Sequence, residues 1–380
     1  MAGTVSWEQL RELAGFRVAK SCAISLYLNL DPSTTATAGE TSTRINSLLD
    51  EAEKTISTTR RDLSHDERVG IKGDFERLRA FFENDFSRDG ARGFAVFVAG
   101  VDNFWSTLAL SEPVPDEVKV GPDFYLAPLV PLVGRGDGAI VAVVGREQGD
   151  LYRLRGGRLE EVADHFEEQP GRHDQGGWSQ SRYQRHIEKL VHDHLRDVAG
   201  ELDRRVRRTP TAKVVVVASE ETRADFSELL SNEARGAVVG WTHAEAHATP
   251  AELLEVVAPV LEDHRAEAER KSLERWREEA GRNGRASSGW GQTLEAASDG
   301  RVELLLFQEG ASRPAWQCPA CGRAALEAGS CPLDGTRMEQ RDDGLDVAVH
   351  QTLAHGGMVA AVRHRHDLEP VEGIAALLRY

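Results

Sequence analysis

The chain has 380 residues, 40% hydrophobic and 28% charged, enough for two or three domains that each bury a core. No run of 18 apolar residues occurs and the start MAGTVSWEQLRELAG carries no signal-peptide pattern, so membrane spanning and secretion are not expected. A net charge of −16 excludes a surface that binds nucleic acid everywhere, and any phosphate contact must come from a local basic patch.

In the first third, SCAISLYLNLD (Ser21–Asp31) alternates as a half-buried strand does. Helical patterns follow over Thr43–Ser57 and Ser64–Glu83, and GFAVFVAG (Gly93–Gly100) reads as a buried strand between glycines. The proline-rich stretch Pro113–Val133 reads as the exit from a domain spanning 1–134. AIVAVVGREQGDLYRLRGGRLEEV then predicts three strands in a meander, and AKVVVVAS (Ala212–Ser219) a central strand buried on both faces. Helical patterns at Glu221–Asn232 and from Pro250 to about Ala280 complete a middle domain, 135–284, with a mixed sheet. In 285–380, QTLEAASDG and DVAVHQTLAHGG predict helices ended by glycine, and RVELLLFQEG and MVAAVRH predict strands. EGIAALLRY closes this small α/β domain.

The stretch GRHDQGGWSQSRYQRH (Gly171–His186) is polar and bears glycines, and it runs into a helix pattern. Tyr183, Ile187, Val191, Leu195, Val198, Leu202 and Val206 recur at spacings of three and four, one stripe of a single helix. The loop therefore stands at a helix N-terminus, whose free N–H groups and partial positive charge suit a phosphate or a developing oxyanion. Between Gly171 and Arg208 nine Lys and Arg face six Asp and Glu, a local basic excess on an acidic chain.

SQSRYQRHIEKLVHDHLRDVA (Ser179–Ala199) resembles the helix after the Gly-Gly-Gln loop of archaeal and eukaryotic peptide-release factors and Pelota-type rescue factors. RWREEAGRNGRASSGWGQTLEAASDGRVELLLFQEG looks like their junction of middle and third domains, and EGIAALLRY like their closing segment. The likeness is collinear over Ile140–Tyr380 and is closer still to the bacterial relatives of these factors. It extends to the enzymes that free stalled chains from peptidyl-tRNA with a Gly-Gly-Ser-Gln loop. The resemblance implies an α/β, three-domain release-factor-like architecture, with the ribosome (rRNA and peptidyl-tRNA) and a GTPase translation factor as partners. In an ungapped alignment Gly176-Gly177-Trp178 lies where release factors have Gly-Gly-Gln, and a loop longer by two residues would put Gln180 at the tip instead. On this resemblance Gln180 places the attacking water, and Gly176 and Gly177 let the backbone approach where a Cβ would clash. Arg172, His173, Trp178, Ser179, Arg182 and Arg185 would contact RNA. No Asn-Ile-Lys-Ser element for stop-codon reading occurs in the first domain, so a codon-independent role is expected.

QCPACGRAALEAGSCPLDG holds Cys318-Pro-Ala-Cys321-Gly and Cys331-Pro-Leu-Asp334-Gly. Paired turns of this spacing aim side chains at one tetrahedral metal, as in a zinc ribbon, here at 318–335. Asp334 stands where the fourth thiolate belongs; it completes the site, a histidine such as His350 does, or the metal has been lost. Any zinc is expected to be structural. The remaining Cys22 reads as core, and without a disulfide framework the chain reads as cytoplasmic.

Two functions emerge from this reading. One is a rescue or release factor hydrolysing peptidyl-tRNA in the A site. The other is a non-catalytic hibernation factor occupying the A site of idle ribosomes, with Trp178 packed where hydrolysis would occur, so whether the chain is an enzyme stays open. A nuclease finds no support, because no carboxylates cluster for two metals.

Overall fold

The computed structural model describes residues 5–18, 22–34, 38–59, 63–88, 90–133, 138–155, 157–166, 180–209, 212–245 and 247–380. The fold is α/β. Its contacts divide the chain into two compact units, Met1–Arg135 with Ala268–Tyr380, and Gly136–Glu267. The first and third stretches of the sequence thus share one unit. Among the described residues no helix is long and apolar enough to cross a membrane.

The first unit opens with α1 (Trp7–Gly15), started by a capping box between Ser6 and Gln9. Then come β1 (Ala23–Asn29), α2 (Ala38–Thr59), α3 (His65–Asn84), β2 (Gly93–Ala99), β3 (Phe104–Leu110) and β4 (Glu117–Gly121). The four strands form an antiparallel sheet in the order β3-β2-β1-β4. Ile24, Leu26 and Leu28 of β1 pack with Leu49, Phe75 and Leu78 of α2 and α3, and Cys22 is buried in the same core. The other face, expected to meet solvent, is buried as well: Ala23, Tyr27 and Phe97 enter a second core. Ser25 is buried because its hydroxyl accepts the Tyr125 N–H at 2.9 Å, and the Tyr27 hydroxyl donates to the Tyr125 carbonyl. Polar atoms at alternate positions of β1 therefore bind backbone rather than water.

The second unit carries β5 (Ile140–Val144), β6 (Gln148–Arg155), β7 (Arg158–Phe166), α4 (Gln180–Arg208), β8 (Val214–Ala218), α5 (Glu220–Leu229), α6 (Asn232–Ala237) and β9 (Val238–Thr242), and the start of α7 (Pro250–Gly281). The sheet order is β7-β6-β5-β8-β9; β5, β6 and β7 form the expected antiparallel meander, and β5, β8 and β9 run parallel. Val214 to Val217 of β8 are buried on both faces, against α4, α5 and α6 on one side and Leu253, Val257 and Leu261 of α7 on the other. The helical pattern predicted to Asn232 breaks at Ser231, whose hydroxyl caps α6 through the Ala234 N–H. The unit boundary falls within α7.

The first unit resumes with β10 (Ala286–Ser288), α8 (Trp290–Ser298), β11 (Val302–Gln308), β12 (Ala315–Gln317), β13 (Ala324–Ala325), β14 (Glu339–Arg341), α9 (Gly344–Ala354), β15 (Met358–Val362) and β16 (Ile374–Leu378). They make a sheet in the order β10-β16-β11-β15 and a small one in the order β13-β12-β14. Trp290, Leu294 and Val349 share the core that holds Tyr27 and Phe97. A buried polar joint fastens α9 to the segment after β4. The Asp346 carboxylate accepts the N–H groups of Leu126 and Ala127 at 2.7 and 3.2 Å, and His350 Nε2–H donates to the Phe124 carbonyl at 2.6 Å. The Tyr125 hydroxyl donates to Asp343 at 2.9 Å.

Burial pushes the Asp346 carboxyl up to about 6, against the opposing pull of His350 and the Leu126 N–H. A carboxyl raised by folding favours the native state in its protonated form. Its contribution is complete below about pH 4 and is lost as pH rises through about 6. Asp346→Asn keeps an acceptor but cannot ionise. Urea unfolding at pH 4 and pH 7 should show the wild type losing about 2 kcal/mol relative to this variant, and an unchanged difference would contradict the assignment.

Candidate functional site

Helix α4 begins at Gln180 and has 29 residues, about 43 Å of axis. Residues 171–179 lie outside the described residues, so Arg172, His173, Gly176, Gly177, Trp178 and Ser179 receive no structural account; for Gln180, Arg182 and Arg185 only the helical backbone is described. Val191, Leu195, Val198, Leu202 and Val206 are buried against β5, β6 and β8, with Ile187 half-buried beside them, as the stripe predicts. A glycine sets the approach of helix to sheet: a Cβ on Gly149 of β6 would lie 2.3 Å from Val198 Cγ2. Sequence reading gave no role to Gly149, since a strand glycine reveals its close neighbour only once the helix is placed.

Four arginines in the C-terminal half of α4 are paired with carboxylates of the same helix. Arg204 and Arg205 both pair with Glu201 at 2.7 Å, Arg207 pairs with Asp203 at 2.9 Å, and Arg196 reaches Asp193 at 3.4 Å. Such pairs leave little net field for a phosphate. The first turn of α4 holds no acidic residue to oppose the partial positive charge of a helix N-terminus.

The three cysteines and the aspartate of the knuckle are brought together. One ligand atom each from Cys318, Cys321, Cys331 and Asp334 falls within a cluster 4.8 Å across, and it is the one group of this kind among the described residues. The two halves share a turn. Gly322 N–H donates to the Cys318 carbonyl and Gly335 N–H to the Cys331 carbonyl, both at 2.9 Å, and both glycines have positive φ, 78° and 75°. Cys321 and Asp334 precede these glycines and occupy equivalent places. Cys321 Sγ lies 3.5 Å from Cys331 Sγ, and Asp334 Oδ2 lies 3.5 Å from Cys318 Sγ. Thiolates on one tetrahedral zinc are about 3.8 Å apart, given Zn–S bonds of about 2.3 Å. The donor set can hold a metal ion. Hydrogen bonds from the Thr336 N–H and hydroxyl hold the Asp334 carboxyl down at about 2, so it would offer an anionic oxygen to a metal at neutral pH. Burial pushes the Cys318 thiol up, but the N–H groups of Cys321 and Ala320 together pull it below its ordinary value. His350 does not complete the cluster; its Nε2 is engaged by the Phe124 carbonyl. The knuckle is anchored to the helices beneath it, through Gln351 Nε2 to the Gly322 carbonyl at 2.9 Å and Arg323 to Asp299 at 2.6 Å.

Residues 125–265 match the family model for bacterial archaeo-eukaryotic release factor family 10. Over most of its length the chain is similar to peptide chain release factor subunit 1 of two archaea. With that of Archaeoglobus fulgidus it is 25% identical over 408 residues, covering 98% of this chain and 96% of that protein. With that of Thermococcus onnurineus it is 24% identical over 342 residues, covering 84% and 79%. Among solved structures, a ribosome-bound archaeal Pelota, reported with ABCE1, is 19% identical at a TM-score of 0.43, covering 73% of this chain and 72% of that one. The matched segment holds the meander, α4 and β8. The family match and the archaeal relatives support a member of the release-factor/Pelota superfamily.

Because α4 rests on β6 at Gly149, Gly149→Ala should lower the stability of the protein by about 1–3 kcal/mol, the usual cost of overpacking. Chemical denaturation checks this, and an unchanged midpoint would show that α4 has room to shift.

Proposed function

We propose that the protein is a ribosome-associated release or rescue factor that enters the A site and promotes hydrolysis of the peptidyl-tRNA ester without reading a codon. The observation that carries this reading is the family match across residues 125–265, which spans both the glycine-bearing loop and the long helix it feeds. In this mechanism Gln180 positions the attacking water, and Gly176 and Gly177 let the loop backbone approach the ester. The N-terminus of α4, with no acid in its first turn, favours the developing oxyanion or a nearby phosphate. Arg182 and Arg185 pair with RNA phosphates, because Arg204, Arg205 and Arg207 further along α4 already have carboxylate partners. The partners are rRNA and peptidyl-tRNA, with a GTPase translation factor for delivery. Trp178 favours a second reading, in which the loop plugs the A site of an idle ribosome without chemistry.

Binding should weaken steeply with salt. Reversing Arg182 and Arg185 to Glu should cut cosedimentation with ribosomes at least tenfold, whereas Arg207→Gln should leave it unchanged. Equal losses in both variants would remove the loop end of α4 from the interface.

On ribosomes stalled with labelled peptidyl-tRNA, wild-type protein should release peptide, and Gln180→Ala should slow release at least tenfold, or about 1.4 kcal/mol of barrier. Absence of release by wild type, with occupancy weakened by Trp178→Ala, would establish the plug instead.

The knuckle, in our reading, holds a structural zinc ion through Cys318, Cys321, Cys331 and Asp334. The near-tetrahedral spacing of its donors supports this. Protein purified under reducing conditions should carry about one equivalent of zinc, lost in Cys318→Ser together with stability. Metal-free wild type of normal stability would refute it.

A further inference from the structure

The four donors of the knuckle differ sharply in access. Cys318 and Cys331 are 1% and 2% exposed, whereas Cys321 and Asp334 are at the surface. Cys321 Sγ is 3.5 Å from Cys331 Sγ, whereas Cys318 Sγ is 3.5 Å from the Asp334 carboxylate and within 4.8 Å of the other two sulfurs. A disulfide needs the two sulfurs at about 2.05 Å, so the Cys321–Cys331 pair must close by about 1.5 Å. Side-chain rotation within turns whose backbone is pinned by Gly322 and Gly335 can supply this shift.

We propose that Cys321 and Cys331 form an oxidant-sensitive pair, a modification site at which a peroxide of small size drives a disulfide and expels the metal. This rests on the zinc reading for the metal, though not for the bond. The Cys321 sulfur attacks one peroxide oxygen and gives up its proton, leaving a sulfenic acid and one water. The Cys331 sulfur then attacks the sulfenic sulfur, the S–S bond forms, and the displaced oxygen leaves as a second water with the Cys331 proton. Two thiols lose two electrons and two protons, and hydrogen peroxide takes them up as two waters. An oxygen ligand in the fourth position makes the event decisive. With Asp334 there, one disulfide consumes two of the three sulfur donors, leaving a single thiolate and a carboxylate, too few ligands for structural zinc. The change reaches the fold because Cys318, Cys331 and Met338 form the core of the knuckle with Trp316, and Gly322 and Arg323 tie it to α9 and α8.

The experiment uses the full chain and hydrogen peroxide, following zinc with a chromogenic chelator, counting thiols and mapping peptides by mass. The expected result is loss of two thiols per chain with release of zinc, a Cys321–Cys331 bond in the peptide map and free Cys318. Dithiothreitol with added zinc should restore both. Cys318→Ser should still form the bond, and Cys321→Ser should form none. A chain without zinc that nonetheless forms the Cys321–Cys331 bond would sink the metal reading and keep the modification site. Zinc retained with all thiols intact under peroxide, or a Cys318–Cys321 bond in the map, would overturn the proposal.

Discussion

One carboxylate holds the first unit together. Asp346 lies on a helix whose residues from Gly344 to Leu353 are all buried, and it accepts two backbone N–H groups more than two hundred positions away in sequence. Without it, the segment Phe124–Ala127 would bring two unsatisfied donors into an apolar core, each costing about 1–3 kcal/mol. With it, and with His350 on the Phe124 carbonyl, the segment seats Phe124, Leu126 and Leu129 beside Trp290 and Leu294. Two stretches that read as separate domains in the sequence therefore share one core. The chain leaves that unit at Arg135 and returns to it at Ala268, partway along α7.

This arrangement explains which parts of the fold were legible. Strands buried on both faces, such as VVVVA of β8, and helices with a long apolar stripe, such as α4, declare themselves because their neighbours are numerous and uniformly apolar. β3, β4 and β9 went unread: most of their residues are half-buried, and no clean alternation survives in FWSTLAL, EVKVG or VVGWT. The role of Asp346 was illegible for a different reason. DVAVHQTLA announces a helix, but a hydrogen bond to backbone N–H groups leaves no trace in the identity of the partner residues.

The candidate site divides along the same line. The knuckle was readable residue by residue, since the spacing of its two turns fixes where the donors point, and Asp334 sits with the cysteines as its place in the repeat requires. The pairing along α4 was not legible in a count of charges, because residues three and four apart are neighbours: Glu201 holds Arg204 and Arg205, and Asp203 holds Arg207.

The joint at Asp346 also sets a rule for how the chain can drift. Its donors belong to the main chain, so the side chains at positions 126 and 127 can exchange among apolar types without loosening it. Proline is the exception, because it has no N–H to give. The segment already uses proline at the next position, Pro128, and again at Pro131, where the chain turns through the short helix Ala127–Leu132. A shift of the first proline by a single place toward the N-terminus would cut one of the two threads to α9. Insertions and deletions between Phe124 and Pro128 are thus barred more strictly than substitutions there.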